Sequence, residues 1–214
     1  MVAKSSGEVA DLKHSGEPTD FMARCTWCGD DPQYVAYHDE EWGVPVRADV
    51  PLFEKLMLDA FQSGLSWLVV LRKRRAITAR LHLDDPERLV DLSSQHIEEA
   101  MQDPNIIRNR AKIEACVHNA RCYLDVLDSA RSFSDLLWSH VYGAPVANRW
   151  RSAAHVPSRT AAGDAMSKML KGLGFKWTGP TVCYAFMQAV GMVNDHITSC
   201  PRWTDVQELP TGGR

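Results

Sequence analysis

The 214-residue chain lacks the features of a membrane or secreted protein. No apolar run approaches the length of a membrane span, and the longest, around 65–71, contains Ser66 and is followed at once by the basic residues 72–75. The first residues carry Lys4 and then polar and acidic groups, so no secretory signal is visible. We therefore expect a soluble, cytoplasmic protein whose six cysteines are reduced or bound to metal.

Alternation of β-branched residues over the length of a strand is also missing, which favours an all-α fold. Asp31 followed by Pro32 is typical of a helix start, and Ser66 is a second candidate cap. Helices are predicted over about 32–41, 49–64, 66–81, 86–92, 94–102, 109–127, 132–142 and 161–173, with a last one from 180. We interpret 22–203 as one all-α domain, 1–21 as a disordered leader and 204–214 as a flexible tail.

Two pairs of possible zinc ligands lie near opposite ends of the chain: Cys25 with His38, and His196 with Cys200. His196 and Cys200 are four residues apart, so on a helical turn both would face one metal. Zn²⁺ binds four such nitrogen and sulfur ligands tetrahedrally, and a metal here would join the two ends. The alternative is ordinary buried thiols and surface histidines, since the pairs match no short zinc-finger pattern.

Aromatic residues are concentrated in the first third of the predicted domain: Trp27, Tyr34, Tyr37, Trp42 and Trp67. Tyr34 and Tyr37 are three residues apart on the first predicted helix and so share a face. Filling of the core explains any one of them. As a group beside a helix that bears a carboxylate, they are instead suited to wall a pocket for a flat, electron-poor ring, through stacking and cation–π attraction.

The junction at 170–181 differs from the other predicted helix junctions. Gly174 is placed to end one helix, and Gly179 with Pro180 to start the next, which leaves a glycine-containing hairpin with exposed backbone amides. Amides at a helix start bind phosphate, and Lys176 lies within the hairpin. This pattern, at about 166–191, resembles the helix-hairpin-helix motif that clamps the DNA backbone, although many helical bundles turn through glycine only to change direction.

Net charge gives weaker guidance. A formal charge of −3 argues against a protein that binds polyanions over its whole surface. Basic residues at 72–75, at 108–112 and near the hairpin make three segments that would form a nucleic-acid surface if they lay on one face. The alternative for each segment is a solvated helix face.

Longer stretches of the chain resemble the 3-methyladenine DNA glycosylase I family and occur in that family's order. They are RCTW at 24–27, DPQYVAYHDEEWGVP at 31–45, FQSGLSW at 61–67, IIRNRAKI at 106–113, GFKWTGPTVCYAFMQAVG at 174–191 and VNDH at 193–196. The resemblance implies a helical helix-hairpin-helix glycosylase with a structural zinc on Cys25, His38, His196 and Cys200, and Cys28 as a non-ligand. It also implies action on double-stranded DNA containing N3-alkylated adenine, with free 3-methyladenine as the product, and we expect a monomer.

The resemblance also assigns roles to single positions. The implied base pocket is formed by Trp27, Tyr34, Tyr37, Trp42 and Trp67, with Asp59 as the acidic residue that contacts the base. The family carries Glu there, in LEG, where this chain has LDA at 58–60. Because Asp is one methylene shorter, we expect the contact to become water-mediated unless the helix or the ligand shifts. The implied DNA-contacting residues are Gly64, Leu65 and Ser66, which enter the duplex at the lesion, and Gly174, Lys176, Gly179 and Thr181 of the hairpin.

Glycosylases with this motif often carry an Asp shortly after the hairpin, but 182–192 contains no acidic residue. Asp195 comes next, and we interpret it as a support for the neighbouring His196 or as a helix cap. The sequence therefore predicts a monofunctional hydrolase without strand-cleaving activity. The alternatives are a zinc-stabilised protein that binds DNA lesions without excising them, a glycosylase for another alkylated purine, and a redox protein that uses Cys25 and Cys28.

Overall fold

The computed structural model describes residues 24–129 and 131–209, so the predicted leader lies outside the described residues. The described chain is mostly helical, as predicted. Its helices are α1 (Pro32–Glu40), α2 (Asp49–Gln62), α3 (Trp67–Leu81), α4 (Pro86–Val90), α5 (Ser94–Gln102), α6 (Arg110–Asp128), α7 (Phe133–Trp138), α8 (Ala161–Gly172), α9 (Pro180–Ala189) and α10 (Pro201–Asp205). Within these residues, no helix combines the length and the apolar character that crossing a membrane requires.

Two short strands were not predicted. The strands β1 (Val146–Ala147) and β2 (Val193–Asn194) pair in parallel, with Val146 opposite Val193. Strands of two residues are too short to show any alternation in sequence, which is why the pattern search missed them. Their pairing ties the segment after α7 to the segment after α9, next to the residues that form the site.

The helix ends follow the chemistry of their caps. The Asp31 carboxylate accepts hydrogen bonds from the backbone N–H groups of Gln33 and Tyr34, at 3.0 and 3.1 Å, and Pro32 occupies the first position of α1. At the end of α8, Gly174 adopts a positive φ of 92° and the Phe175 N–H donates to the Leu170 carbonyl. These predicted helix ends are confirmed.

Buried side chains of α2 and α9 form much of the core around the site. Phe53, Leu56 and Met57 of α2 are fully buried, and so are Phe186 and Met187 of α9. Helices α2 and α9 pack against each other, and α3 and α6 also pack on α2. This arrangement fixes the side of α2 that faces the cavity described below.

The C-terminal part is more ordered in structure than its composition suggested. Helix α10 overlaps the predicted tail, Val206 is buried, and the Trp203 indole N–H donates to the Asn148 carbonyl at 2.7 Å. The last residues of the predicted tail, 210–214, lie outside the described residues.

Candidate functional site

A cavity of about 320 Å³ opens between α1, α2, the start of α3 and α9. All five predicted aromatic residues line it: Trp27, Tyr34, Tyr37, Trp42 and Trp67. The Trp27 ring lies at the centre of this group, with its centroid 5.1 Å from that of Tyr34 and 4.9 Å from that of Trp42. The cavity is large enough for a small planar ligand, and its walls are mainly π surfaces.

Asp59 brings a carboxylate to the floor of the cavity. It is 3% exposed, its Oδ1 pairs with the Lys55 ammonium, and its Oδ2 is buried without a hydrogen-bond partner among the described residues. Burial raises the pKa of Asp59, and the charge and hydrogen bond of Lys55 oppose that rise. The carboxylate therefore has one buried acceptor oxygen without a partner, which suits a ligand N–H.

Lys55 was missed by the sequence reasoning. Its ammonium lies over the Trp67 ring, 4.1 Å from the centroid, and its side chain is 17% exposed. Burial lowers its pKa, and Asp59 counteracts the change. The signal was available, because Lys55 stands four residues before Asp59 on one helix and such pairs meet.

Asp195 forms a buried hub at the side of the same cavity. Its Oδ1 accepts hydrogen bonds from Asn148 Nδ2 and Trp150 Nε1, both at 2.7 Å. Its Oδ2 accepts from Tyr184 Oη at 2.6 Å and Gln188 Nε2 at 2.8 Å. The carboxylate thus connects α9 with the segment that follows β1, and a direct support of His196 is not among its contacts.

The remaining cavity wall carried no signal in the sequence. Gln62 at the end of α2 and Gln188 on α9 add amide groups, and the loop residues Ala153 and Val156–Ser158 close one side. Amides and short loop segments occur throughout the chain, so nothing in their spacing marked them as parts of a site.

The four predicted metal ligands come together in one buried cluster, all within 4.8 Å of one another. Cys25 Sγ lies 3.6 Å from His196 Nδ1, and Cys200 Sγ lies 3.7 Å from both His38 Nε2 and His196 Nδ1. Ligand atoms bound 2.0–2.3 Å from a tetrahedral zinc are roughly 3.5 Å apart, so the donor set and its spacing fit Zn²⁺. The alternative of unrelated thiols and surface histidines does not describe this cluster.

Groups around the cluster also suit a metal. His38 contacts Asp39 Oδ1 through Nδ1 at 2.7 Å, and His196 contacts the Trp42 carbonyl through Nε2 at 3.1 Å, so each ring leaves its other nitrogen facing the cluster. The interaction between the two thiols lowers the pKa of Cys200 and raises that of Cys25.

The structure places His196, Cys200 and Cys28 more exactly than the sequence did. We expected His196 and Cys200 to lie on a helical turn, and this prediction is wrong. They belong to a non-helical turn before α10, in which the Cys200 N–H donates to the Ile197 carbonyl at 2.8 Å. Cys28 lies outside the cluster, and its thiol donates to the Cys25 carbonyl at 3.1 Å.

The Gly64–Leu65–Ser66 turn projects from the rim of the cavity between α2 and α3. Gly64 has a φ of 79°, and Leu65 is 41% exposed. The Lys112 ammonium of α6 donates to the carbonyls of Phe61 and Ser63, at 2.8 and 2.5 Å. It thereby satisfies carbonyls at the end of α2 and holds the turn from below.

The hairpin between α8 and α9 uses part of its backbone internally. The N–H groups of Gly174 and Phe175 donate to carbonyls of α8, and that of Lys176 donates to Asn119 Oδ1 at 2.8 Å. Among the described residues, the hairpin amides left for a ligand are those of Trp177, Gly179 and, in the first turn of α9, Thr181 and Val182, since Thr178 is buried. Gly179 caps α9, and the Trp177 ring stands 39% exposed with the Lys112 ammonium 5.4 Å from its centroid.

The basic run of α3 does not form an open cationic face. Arg72 pairs with Asp31 at 2.5 Å, and Arg74 forms a two-bonded pair with Glu41 at 2.5 and 2.6 Å. These contacts favour the interpretation of a solvated helix face for this segment.

The helical fold and the aromatic cavity with a buried carboxylate define a protein that can enclose a small planar ring. The methyladenine glycosylase family model matches residues 27–203, and the chain belongs to that family. It is 45% identical to DNA-3-methyladenine glycosylase 1 of Escherichia coli, across 84% of this chain and 96% of that protein. It is 43% identical to DNA-3-methyladenine glycosylase of Haemophilus influenzae, across 85% and 98%.

Solved structures agree with this assignment. A crystal structure of 3-methyladenine DNA glycosylase I (TAG) superposes with a TM-score of 0.82 at 46% identity, covering 84% of this chain and 98% of that one. A structure of 3-methyladenine DNA glycosylase I (TAG) from Staphylococcus aureus, which describes its recognition of 3-methyladenine, superposes with a TM-score of 0.81 at 36% identity. The match covers 84% of this chain and 96% of that one.

Proposed function

We propose that the chain is a DNA glycosylase of base-excision repair that hydrolyses the N-glycosidic bond of 3-methyladenine in DNA. The observation that carries the proposal is the open Asp59 Oδ2 inside an aromatic cavity. A methylated adenine ring has the flat shape of that cavity, and its exocyclic amino group can donate to this oxygen. The names and the coverage of the relatives in Escherichia coli and Haemophilus influenzae support the same activity.

The chemistry requires little from the protein. Methylation at N3 gives the ring a positive charge, so the base leaves as a neutral molecule when its bond to the sugar C1′ breaks. Extrusion of the nucleotide from the duplex places the ring between the π faces, beside the carboxylate, and water adds at C1′. Trp27 and Tyr34 hold and orient the ring in this scheme, and Asp59 accepts from its amino group.

Engagement of the duplex is assigned to two neighbouring surface elements. Leu65, on the Gly64–Ser66 turn, enters the space left by the extruded nucleotide. Helices α8 and α9 act as a helix-hairpin-helix motif, in which the free amides of Trp177, Gly179 and Thr181 bind phosphate and Lys176 adds positive charge. Helix α6 supports both elements, since Lys112 holds the turn and Asn119 holds the hairpin backbone.

The metal ion in this proposal has a structural role. Cys25, His38, His196 and Cys200 would hold Zn²⁺, which supplies a cross-link between the two ends of the folded chain. The cluster is buried behind Trp42, and the ring of that residue stacks on His38 with centroids 6.2 Å apart. Trp42 therefore stands between the cluster and part of the cavity, while Cys25 belongs to the cluster and also lines the cavity.

We also propose that the enzyme is monofunctional. Cleavage of the strand requires an amine that attacks C1′ and forms a Schiff base. The amine that lines the cavity is Lys55, and its ammonium is engaged by the Asp59 carboxylate and the Trp67 ring. We expect it to stay protonated and unreactive.

The test is release of free 3-methyladenine from methylated duplex DNA by the purified protein, with strand cleavage and borohydride trapping read on the same reaction. Release without cleavage or trapped complex is the expected result. Asp59→Asn should lose most of the release while keeping zinc and fold, whereas Asp205→Asn on the exposed side of α10 should not change it. Lesion-dependent binding without release would instead indicate a non-catalytic binding protein.

A further inference from the structure

The cavity already contains a positive charge of its own. Two features select a cationic ring over a neutral ring of the same shape: a carboxylate and the face of an electron-rich aromatic ring. Here both are occupied by one side chain, because the Lys55 ammonium pairs with Asp59 Oδ1 and lies 4.1 Å from the Trp67 centroid. The carboxylate and the ammonium together leave the floor of the cavity without net charge.

The contacts that remain open to a ligand serve neutral rings as well as cationic ones. Asp59 Oδ2 accepts an N–H from a neutral amino group as well as from a cationic ring, and the faces of Trp27 and Tyr34 offer contact to any planar ring. A cationic ring, in contrast, meets the ammonium of Lys55 at close range. Two like charges about 4 Å apart repel strongly enough, even at an effective protein dielectric, to offset more than a tenfold preference.

Resting on the proposed function, we propose that Lys55 is a specificity-determining residue that acts as the cavity's resident cation, so that the enzyme binds neutral purine rings bearing an exocyclic amino group about as well as cationic ones. The class of rings that the cavity binds thus widens from N3-alkylated, positively charged adenine to neutral purines of the same shape. Lys55 and Asp59 act together. The Asp side chain is shorter than the Glu of the family, but its carboxylate is held in place by Lys55 and keeps one oxygen, Oδ2, for the ligand.

Other titratable groups near Lys55 and Asp59 do not change the net charge at the floor of the cavity. Tyr37 of α1 stays neutral, because burial raises its pKa well above the ordinary value. Burial likewise raises the pKa of Cys183 on α9 to about 12, so this thiol is uncharged at neutral pH. Glu41 and Arg74 are paired with each other. Asp195 is the other carboxylate at the cavity, and its oxygens are filled by four donors.

A matched pair of ligands tests the proposal. The fixed cation 3,9-dimethyladeninium and its neutral isostere 3-deaza-3,9-dimethyladenine differ in charge and share their shape. Their dissociation constants are measured at pH 7.5 by quenching of tryptophan fluorescence or by calorimetry. In the natural chain we expect the two constants to agree within about threefold. Lys55→Met, which keeps the length and removes the charge, should favour the cation by at least about tenfold.

Two further variants keep the result interpretable. Lys55→Arg retains the charge and should retain the ratio of the natural chain. Asp59→Asn leaves the ammonium unbalanced and should reverse the preference, favouring the neutral ring by about tenfold or more. Binding of the neutral ring by each variant, with an unchanged zinc content, shows that its cavity is intact.

A natural chain that already favours the cation tenfold, or a ratio that Lys55→Met leaves unchanged, overturns the role of Lys55 even if 3-methyladenine is released from DNA. Failure of the natural chain to bind either ring overturns the proposed function as well.

Discussion

Asp195 gives the sharpest quantitative test of the structure, because one buried carboxylate accepts four hydrogen bonds from four different side chains. Asp195→Asn preserves the shape of the side chain. Trp150 Nε1 can only donate, so the new amide oxygen must stay on its side, and the amide nitrogen must face Tyr184 and Gln188. Both of these groups can reverse their polarity, since a hydroxyl also accepts and a glutamine amide can turn over.

The cost of Asp195→Asn therefore comes mainly from loss of charge assistance. Hydrogen bonds to a charged group contribute about 1 kcal/mol more than neutral ones, and removing a buried charge recovers part of that through desolvation. We expect the free energy of unfolding to fall by about 2 kcal/mol, which corresponds to a decrease in Tm of about 4–8 °C. Asp195→Ala leaves all four donors without their acceptor and should cost about 4 kcal/mol or more.

The assay is urea unfolding followed by circular dichroism, with zinc in excess throughout. Asp205→Asn on α10 is the matched control, because that carboxylate is exposed and its change should stay within about 0.5 kcal/mol. A decrease below about 0.5 kcal/mol for Asp195→Asn, or a larger decrease for Asn than for Ala, would refute the hydrogen-bond reasoning. Base release measured well below the Tm separates a structural carboxylate from a catalytic one. The structural role predicts a loss far smaller than the roughly 100-fold expected for a group acting on the reacting atoms.

Three further predictions concern the metal, the backbone and the turn. Cys25→Ser should abolish stoichiometric zinc binding and lower the Tm, whereas Cys28→Ser should keep one zinc per chain by elemental analysis. An equal loss of zinc in both variants would contradict this assignment of ligands. Gly191→Ala should destabilise by about 2 kcal/mol or more in urea, because its Cβ would lie 2.5 Å from a backbone nitrogen at a φ of +69°; Gly172→Ala, with open space around it, should be neutral or stabilising. Lys112→Met should speed hydrogen exchange at 63–66 and slow base release while zinc content stays constant, and unchanged exchange there would contradict its role.

Local signals in the sequence predicted the helices because helix ends are local structures. The Asp31 carboxylate caps backbone amides two and three residues away, and Gly174 closes α8 through bonds to its own last turn. Strands β1 and β2, in contrast, exist only because distant segments meet. Their two-residue ladders depend on tertiary packing, which no local pattern encodes.

The residues of the site also differ in whether the sequence or only the tertiary packing reveals them. The aromatic residues and the four ligands could be assigned from the sequence because their residue types are rare and the resemblance covers them. Lys55 escaped attention because lysine on a helix is normally solvent-exposed. The spacing of four residues indicates its contact with Asp59, but only the packing of α2 against α3 shows that the ammonium also lies over Trp67. The hairpin shows the reverse case, since its backbone amides were expected to be exposed and Asn119 accepts the one of Lys176.

Residues of the Cys/His cluster are close neighbours, along the chain, of residues that line the cavity. Changes that weaken the cluster are therefore expected to affect ligand binding as well. Three of the four cluster residues lie within two positions of a residue that lines the cavity: Cys25 near Trp27, His38 beside Tyr37, and His196 beside Asp195. His196 also bonds to the Trp42 carbonyl, so a fourth wall residue is tied to the same cluster. A metal held by these ligands would thus position the π walls from behind without contacting the ligand ring. By joining the two ends of the folded chain, such a metal would keep several large aromatic rings in place around an open space.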